Sequence, residues 1–221
     1  MSATHPSYLA ARPPTREPRR VWLWLTFLIP LTIIASVALV VALGLFFNMT
    51  GEVLAPTAEE EALVLDIDHL SDWMVDYVPD FARETLTKTR YLDRSYELDY
   101  TYDVPDDENA PYLSYTLTFE PSQTDAGRTY VSYWSGTRVA FYAFGPSDVT
   151  IDERNDLFRW GDESRFGLLT TEGQPFGNVF VAREGSRVVY FLISGLYFDD
   201  AEQITALLDP YLKRLRGYSD T

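Results

Sequence analysis

Side chains that commonly carry out chemistry are scarce in this sequence. It contains no cysteine and only two histidines, His5 and His69. Thiolate nucleophiles, disulfides, zinc–thiolate and iron–sulfur sites and covalently attached c-type haem are therefore excluded, as are metal sites built from several histidines. A serine–histidine pair would have to use His69, which no nucleophile motif accompanies. We expect His69 to be a surface or hydrogen-bonded residue.

Carboxylates are the remaining candidates for chemistry. The motif Gly161-Asp162-Glu163-Ser164 would offer two carboxylates to a metal or substrate, but we favour a turn at Gly161 with Asp162 or Ser164 bonded to nearby backbone. The acidic segment 103–109 has the hard oxygen ligands that calcium prefers, yet it lacks the glycine and regular alternation of a dedicated calcium loop. We interpret it as a solvated hairpin tip, with calcium binding as the alternative.

No residue is assigned to catalysis, to a cofactor or to a metal, and we expect a protein that is not an enzyme. A hydrolase that uses paired carboxylates stays as an alternative, because the sequence does not fix the separation of its 33 acidic residues.

Aromatic residues are abundant, with 15 tyrosines and 5 tryptophans. Exposed aromatic rings favour protein contacts or carbohydrate stacking. Candidate contact residues are Trp134, Trp160 and Tyr197, with Tyr142 as a further exposed ring. The alternative interpretation is that these rings lie at the margins of the core, which is commoner for amphipathic aromatics.

Charge is distributed unevenly along the chain. The net charge is −15, and so acidic a protein repels phosphate backbones, which argues against binding to nucleic acid. The first twenty residues are the exception, because they hold a single acid and four arginines: Arg12, Arg16, Arg19 and Arg20.

An uncharged run covers residues 21–47 directly after these arginines. As a helix it would be ~40 Å long, more than the ~30 Å hydrocarbon core of a bilayer. Its ends carry aromatic residues suited to the membrane interface: Trp22, Trp24, Phe46 and Phe47. A cleaved signal peptide is the alternative, but its hydrophobic region is usually only about 7–15 residues long.

The arginine cluster places the N-terminus in the cytoplasm by the positive-inside rule. The sequence therefore predicts four parts: a cytoplasmic basic arm (1–20), a transmembrane helix (21–47), a tether (48–58) and an extracytoplasmic domain (59–221). The predicted location is the cytoplasmic membrane, with a single pass.

Three helices are predicted in the extracytoplasmic part. Thr57 and three following glutamates begin the first, whose apolar face continues to Pro79 with Leu63, Ile67, Leu70, Met74 and Tyr77. The second follows Ser122 and ends at Gly145, and its apolar face comprises Ala126, Tyr130, Tyr133, Trp134 and Phe141. The third opens at Asp199 and Asp200, with its basic residues at the C-terminal end.

Strands are predicted between these helices. Apolar and polar residues alternate over 96–103 and 113–119, and the turn formers in 104–111 predict a hairpin between them. Residues 82–91 are moderately strand-like. Three more strands are predicted at 165–171, 176–183 and 188–195, the last buried on both faces. Strand groups separated by single helices predict an α+β domain, an antiparallel sheet covered by helices.

The segment from Arg159 to Leu215 resembles the C-terminal half of bacterial membrane-anchored extracytoplasmic α+β domains. These are similar to sensor-type ectodomains of bacterial receptor kinases. The shared features are Gly161–Ser164, a hairpin through Arg183–Arg187 and a final helix after Gly195. The resemblance implies a ligand-sensing or uncharacterised role and transfers no catalytic residue.

Two functions follow as expectations. The first is a non-catalytic interaction protein, an accessory or scaffold subunit of a membrane assembly, whose partners are the lipid bilayer and a membrane or extracytoplasmic protein, with a homodimer left open. The second is an extracytoplasmic module that senses or binds a ligand.

Overall fold

The computed structural model describes residues 51–74, 81–105, 107, 110–144 and 149–219. All of them belong to one compact unit, Thr50–Thr221. The predicted transmembrane helix, its aromatic ends and the four arginines lie outside these ranges. Among the described residues, no helix has the length and apolarity needed to cross a membrane.

The unit is built on one eight-stranded antiparallel sheet, ordered β1-β2-β3-β4-β8-β7-β6-β5. The first four strands are β1 (Glu52–Leu54), β2 (Arg83–Arg90), β3 (Tyr96–Asp103) and β4 (Tyr112–Phe119). The second four are β5 (Val149–Glu153), β6 (Glu163–Thr171), β7 (Gln174–Glu184) and β8 (Arg187–Ser194). The predicted hairpin is confirmed, with Tyr96 opposite Phe119, and so is the α+β class.

The helices begin at capping residues that the sequence supplies. Helix α1 (Ala58–Glu61) starts with a capping box between Thr57 and Glu60. Helix α2 (Gln123–Phe144) follows β4. Helix α3 (Ala201–Gly217) follows β8, and its N-cap Asp200 accepts hydrogen bonds from the N–H groups of Glu202 and Gln203 at 2.8 and 3.1 Å.

The sheet separates two hydrophobic clusters. On one face, α3 and residues 63–70 pack against aromatic residues of β3 and β4, such as Tyr100 and Tyr115. On the other face, α2 packs against Val179, Val181 and Val188 of β7 and β8. Strand β8 contributes to both clusters, which confirms that it is covered on both faces.

Each half of the sheet is a four-stranded meander followed by a helix, and the halves join where β4 pairs with β8. The helices pack on opposite faces, however, so no twofold axis relates the halves. Helix α3 covers one face of the sheet, and helix α2 covers the opposite face.

The predicted helix over 57–79 is wrong as a continuous element. Helix α1 ends at Glu61, and a separate 3₁₀ helix spans Ile67–Trp73. Leu63, Val64 and Leu65 are all buried, and three consecutive residues do not share one helix face. The 3₁₀ helix starts at Ile67, whose N–H donates a hydrogen bond to the hydroxyl of Tyr100 at 2.9 Å. Tyr77 lies outside the described residues.

The predicted tether is also partly wrong, because β1 (Glu52–Leu54) pairs with Lys88–Arg90 of β2. Gly51 lies so close to β2 that an added Cβ would stand 2.2 Å from the Thr89 side chain. Strand β5 was not predicted, since its alternation is confined to five residues.

Candidate functional site

One half of the α2 side of the sheet carries no helix. Helix α2 packs mainly over β5, β7 and β8, and it touches β3 through a hydrogen bond from Tyr133 to Glu97. The cross-strand register places polar side chains together on the uncovered half. We call it the open sheet face, and it comprises Arg83, Thr85, Thr87, Thr89, Glu97, Asp99, Thr101, Asp103 and Ser114.

The strand alternation explains this face. In β3 the residues Tyr96, Leu98, Tyr100 and Tyr102 are buried under α3 and its neighbours, so each residue between them points to the opposite side. Threonine is β-branched and suits a strand whose side chains meet water. The result is a surface of hydroxyl and carboxylate groups, with Arg83 opposite Asp103 at one end.

Glu97 lies at the border between the open sheet face and α2. Its Oε2 accepts a hydrogen bond from the hydroxyl of Tyr133 at 2.9 Å, and the same hydroxyl is 2.9 Å from that of Thr118. Burial raises the pKa of Glu97, and the nearby acids Asp99 and Glu120 add to the rise, while the hydroxyls of Tyr133 and Thr118 oppose it.

Two further carboxylates, those of Asp99 and Glu120, lie close enough to Glu97 to raise its pKa. Asp99 accepts a hydrogen bond from Thr116 at 2.9 Å, and Glu120 accepts one from Thr129. Burial raises the pKa of Glu120, and Asp93 and Asp125 raise it further. Every charged neighbour that shifts the pKa of Glu97 or Glu120 is an acid. No described basic residue therefore relieves these two carboxylates.

The two tryptophans predicted as contact residues are buried instead. Trp134 is 3% exposed and Trp160 is 7% exposed. An arginine covers each ring, since the guanidinium carbons of Arg165 and Arg216 lie 5.5 Å from the ring centroids of Trp134 and Trp160, respectively. Tyr197 remains 43% exposed, so it alone of the three candidates presents a ring to solvent.

The Gly161–Ser164 motif is a turn, as predicted. Asp162 accepts a hydrogen bond from the N–H of Gly185 at 2.9 Å, and Ser164 accepts one from the N–H of Trp160 at 3.2 Å. Glu163 pairs with Arg183 at 2.7 Å. The two carboxylates therefore hold the β7–β8 hairpin in place, which is a structural role.

The remaining candidates do not form a metal centre in the described part of the chain. His69 is half exposed and pairs with Asp66, in agreement with the expectation of a surface residue. Asp103 ends β3, but residues 106, 108 and 109 of the acidic segment lie outside the described ranges. Among the residues described, no group of three or more histidine, aspartate or glutamate side chains is placed to hold a metal ion.

Two open clefts flank the segment 154–164. One, of about 470 Å³, is lined by residues that include Tyr130, Arg159 and Ser164. The other, of about 530 Å³, lies between Arg159 and the Thr205–Asp209 part of α3. Both are shallow and open to solvent, unlike the enclosed apolar pockets that usually bind small molecules.

Comparison with protein-family models, with curated proteins and with solved structures gave no match for this chain.

Proposed function

We propose that this chain is a single-pass membrane-anchored, non-catalytic interaction protein. In this proposal residues 21–47 span the membrane, the arginine arm stays in the cytoplasm, and the domain contacts a basic protein partner through the open sheet face. The protein then acts as an accessory or scaffold subunit of a membrane assembly. The observation that supports the proposal is the acidic cluster at the border of the open sheet face, where burial and neighbouring acids raise the pKa values of Glu97 and Glu120.

Exposure alone would not support this role, because one side of an antiparallel sheet often faces water. The distinguishing feature is electrostatic cost. Burial and two like charges, Asp99 and Glu120, disfavour the ionised form of Glu97 and raise its pKa. Carboxylates with a raised pKa that lower the stability of the fold are common at functional sites. Lysine and arginine side chains of a partner would remove this repulsion.

The contacts of Glu97 and Glu120 favour a binding role over catalysis. Both carboxylates already accept hydrogen bonds from α2 side chains, Tyr133 and Thr129. Neither lines a cleft described above. A carboxylate hydrolase needs two such groups facing substrate in a cleft.

Topology is the first requirement of the proposal. Protease added outside the cytoplasmic membrane should digest residues beyond about 50 and spare the arginine arm. Protection of the domain would contradict the orientation.

The contact surface is tested by placing a photo-crosslinking residue at Thr101, on the open sheet face, in the full chain in its native membrane. The matched control is the same residue at Gln203, an exposed position on α3. We expect Thr101 to cross-link to one protein in a salt-sensitive manner and Gln203 to give no such adduct. Equal labelling from both positions would contradict the proposal.

The second candidate, a ligand-sensing module, is supported by the clefts beside Arg159 and by the resemblance to sensor ectodomains. It predicts that substitution of Arg159 abolishes the response to a small anionic ligand. The first candidate predicts that Arg159 has no effect on partner binding.

A further inference from the structure

The turn between β2 and β3, residues 91–95, lies beside the point where the chain enters the described unit. In the register of β1 and β2, Glu52 is opposite Arg90, so this β2–β3 turn extends beyond the start of β1. Gly51 lies alongside it, since an added Cβ at Gly51 would stand 3.4 Å from Cε1 of Tyr91. Because β1 is antiparallel to β2, the chain enters β1 from the side toward which the β2–β3 turn points.

Covalent geometry limits how far this turn can be from the membrane. Only residues 48–50 separate Gly51 from the uncharged run 21–47. Even when fully extended, the chain from Phe47 to Gly51 spans no more than about 14 Å. The headgroup layer on each side of a bilayer is about 6 Å thick, because a bilayer of ~42 Å contains a hydrocarbon core of ~30 Å. If residues 21–47 span the membrane, as proposed above, Gly51 and the β2–β3 turn beside it lie at or near the membrane surface.

The exposed side chains at this turn suit a lipid surface. Leu92 is 66% exposed, and the exposed residues Arg90 and Arg94 flank it. Among the described residues, no acid lies within ion-pair distance of either arginine. The carboxylate of Asp93 is held within the turn, where it accepts hydrogen bonds from the N–H and hydroxyl of Ser95 at 2.9 and 2.6 Å. A single exposed leucine is ordinary on a protein surface, but this one lies between two arginines next to the proposed anchor.

Arg94 has an unfavourable backbone conformation for an arginine. Its φ is +76, in the left-handed region that favours glycine. The turn requires this conformation, because it is closed by a hydrogen bond from the N–H of Tyr91 to the carbonyl of Ser95 at 2.9 Å and by one from the N–H of Arg94 to the carbonyl of Tyr91 at 3.1 Å. Glycine would fit this backbone without strain, and strained residues of this kind are concentrated at functional sites.

We propose that the β2–β3 turn rests on the membrane surface, with Leu92 in the headgroup layer and the guanidinium groups of Arg90 and Arg94 on lipid phosphates. This inference rests on the membrane anchor of the proposed function. A guanidinium group binds phosphate oxygens through paired hydrogen bonds, and an apolar side chain gains from leaving water at the interface. Glu52 and Asp93 offset the charge of the two arginines, so the contact depends on the anchor to hold the turn at the surface.

A fluorophore on a single cysteine tests the contact, since the chain has no cysteine of its own. The full chain with Leu92→Cys is labelled and reconstituted into vesicles of phosphatidylcholine and phosphatidylglycerol that carry a nitroxide quencher in the headgroup region. The control is Thr85→Cys, an exposed position on β2 about 17 Å along the strand from Arg90. We expect the label at position 92 to lose most of its fluorescence and the label at position 85 to lose little. Equal quenching at the two positions would overturn the proposal.

A second pair of variants separates lipid contact from stability. Arg94 and Glu172 are the two described residues other than glycine that have positive φ, +76 and +50, and Glu172 lies in the turn between β6 and β7. Arg94→Gly and Glu172→Gly should each raise the thermal midpoint by about 2–4 °C, because each relieves backbone strain. Only Arg94→Gly should also reduce the quenching of the label at position 92. Quenching that Arg94→Gly leaves unchanged would overturn the proposal.

Flotation of the same vesicles distinguishes failure of this contact from failure of the anchor. A full chain that floats with the vesicles, resists extraction at alkaline pH and shows the expected quenching supports both. A chain that floats and resists extraction but shows equal quenching at positions 92 and 85 overturns the contact and leaves the anchor in place. A chain that does not float overturns the anchor and the contact together.

Discussion

The hydroxyl of Tyr133 on α2 donates a hydrogen bond to Glu97 on β3 across 2.9 Å, so a helix that packs over β7 and β8 also contacts the acidic half of the sheet. This hydrogen bond lies at the border between the part of the sheet that α2 covers and the open sheet face. Its acceptor, the carboxylate of Glu97, has a pKa that is raised by burial and by neighbouring acids.

Glu97→Gln should stabilise the protein at neutral pH. A glutamine oxygen still accepts from Tyr133, while the cost of a buried charge disappears. Burial and neighbouring acids raise the pKa of Glu97 in the folded protein. The free energy of unfolding therefore decreases as pH rises from the usual pKa of glutamate to this raised pKa. The gain should be on the order of 0.5 kcal/mol, since the side chain remains partly solvated.

The measurement is the thermal midpoint of the full chain in detergent at pH 5 and pH 8. Wild type should lose more stability than Glu97→Gln between these values. Tyr133→Phe is the companion variant and should destabilise by about 1 kcal/mol, because the ionised carboxylate loses a donor. Destabilisation of the protein by Glu97→Gln at pH 8 would show that the ionised carboxylate of Glu97 does not lower the free energy of unfolding.

We predict the opposite dependence of stability on pH for the buried pair of Glu60 and Lys88. The two side chains are 2.6 Å apart, with Glu60 3% and Lys88 18% exposed. Burial alone would raise the pKa of Glu60, but hydrogen bonds from Lys88 and the backbone of Thr57 outweigh it and the pKa is lowered. The stabilisation is therefore present above the usual glutamate range and is lost as pH falls through the lowered folded-state pKa.

Lys88→Met should cost about 3 kcal/mol, because it leaves Glu60 charged and buried. The double variant with Glu60→Gln should recover part of that loss. Denaturant unfolding of the four proteins forms the cycle, and additive losses would show that the pair is not coupled.

Two glycines with positive φ provide a matched test of the hairpin turn. Gly161 has φ +71, and an added Cβ would stand 2.3 Å from the carbonyl oxygen of Arg183. Gly185 has φ +61 but open space at the same position. Gly161→Ala should therefore cost about 3 kcal/mol and Gly185→Ala only about 1 kcal/mol, the strain of the left-handed conformation alone. Similar thermal midpoints for the two variants would contradict this account of the turn.

Gly136→Ala tests helix propensity on α2. The substitution should raise the free energy of unfolding by about 1 kcal/mol, since alanine favours the helix and the added methyl group meets open space. Denaturant unfolding of wild type and variant measures this gain. An unchanged or lower free energy of unfolding would contradict it.

Much of the sheet could be predicted because its pattern is local. Tyr96, Leu98, Tyr100 and Tyr102 alternate with polar residues, and such alternation defines a strand wherever it lies. The 3₁₀ helix at Ile67 could not be predicted in this way, since its start depends on Tyr100, which is distant in sequence.

The candidate site was visible in sequence only as polar positions. Which half of the sheet remains uncovered depends on the pairing of β4 with β8 and on the side that α2 chooses, and neither is a local property. For the same reason the sequence suggested an exposed Trp160, whereas Arg216 from α3 covers its ring. Long-range contacts thus separate the correct predictions from the wrong ones.

The most direct test of the proposed function is extraction of the full chain from its native membrane in mild detergent, followed by sizing and mass spectrometry. The informative comparison is between Asp99→Asn/Asp103→Asn, on the open sheet face, and Asp152→Asn/Glu202→Gln, which removes the same charge from exposed positions elsewhere. We predict that wild type and the control migrate in fixed stoichiometry with a protein that presents a basic surface, and that the open-sheet-face variant migrates without it. Retention of the same partner by the open-sheet-face variant would contradict the account.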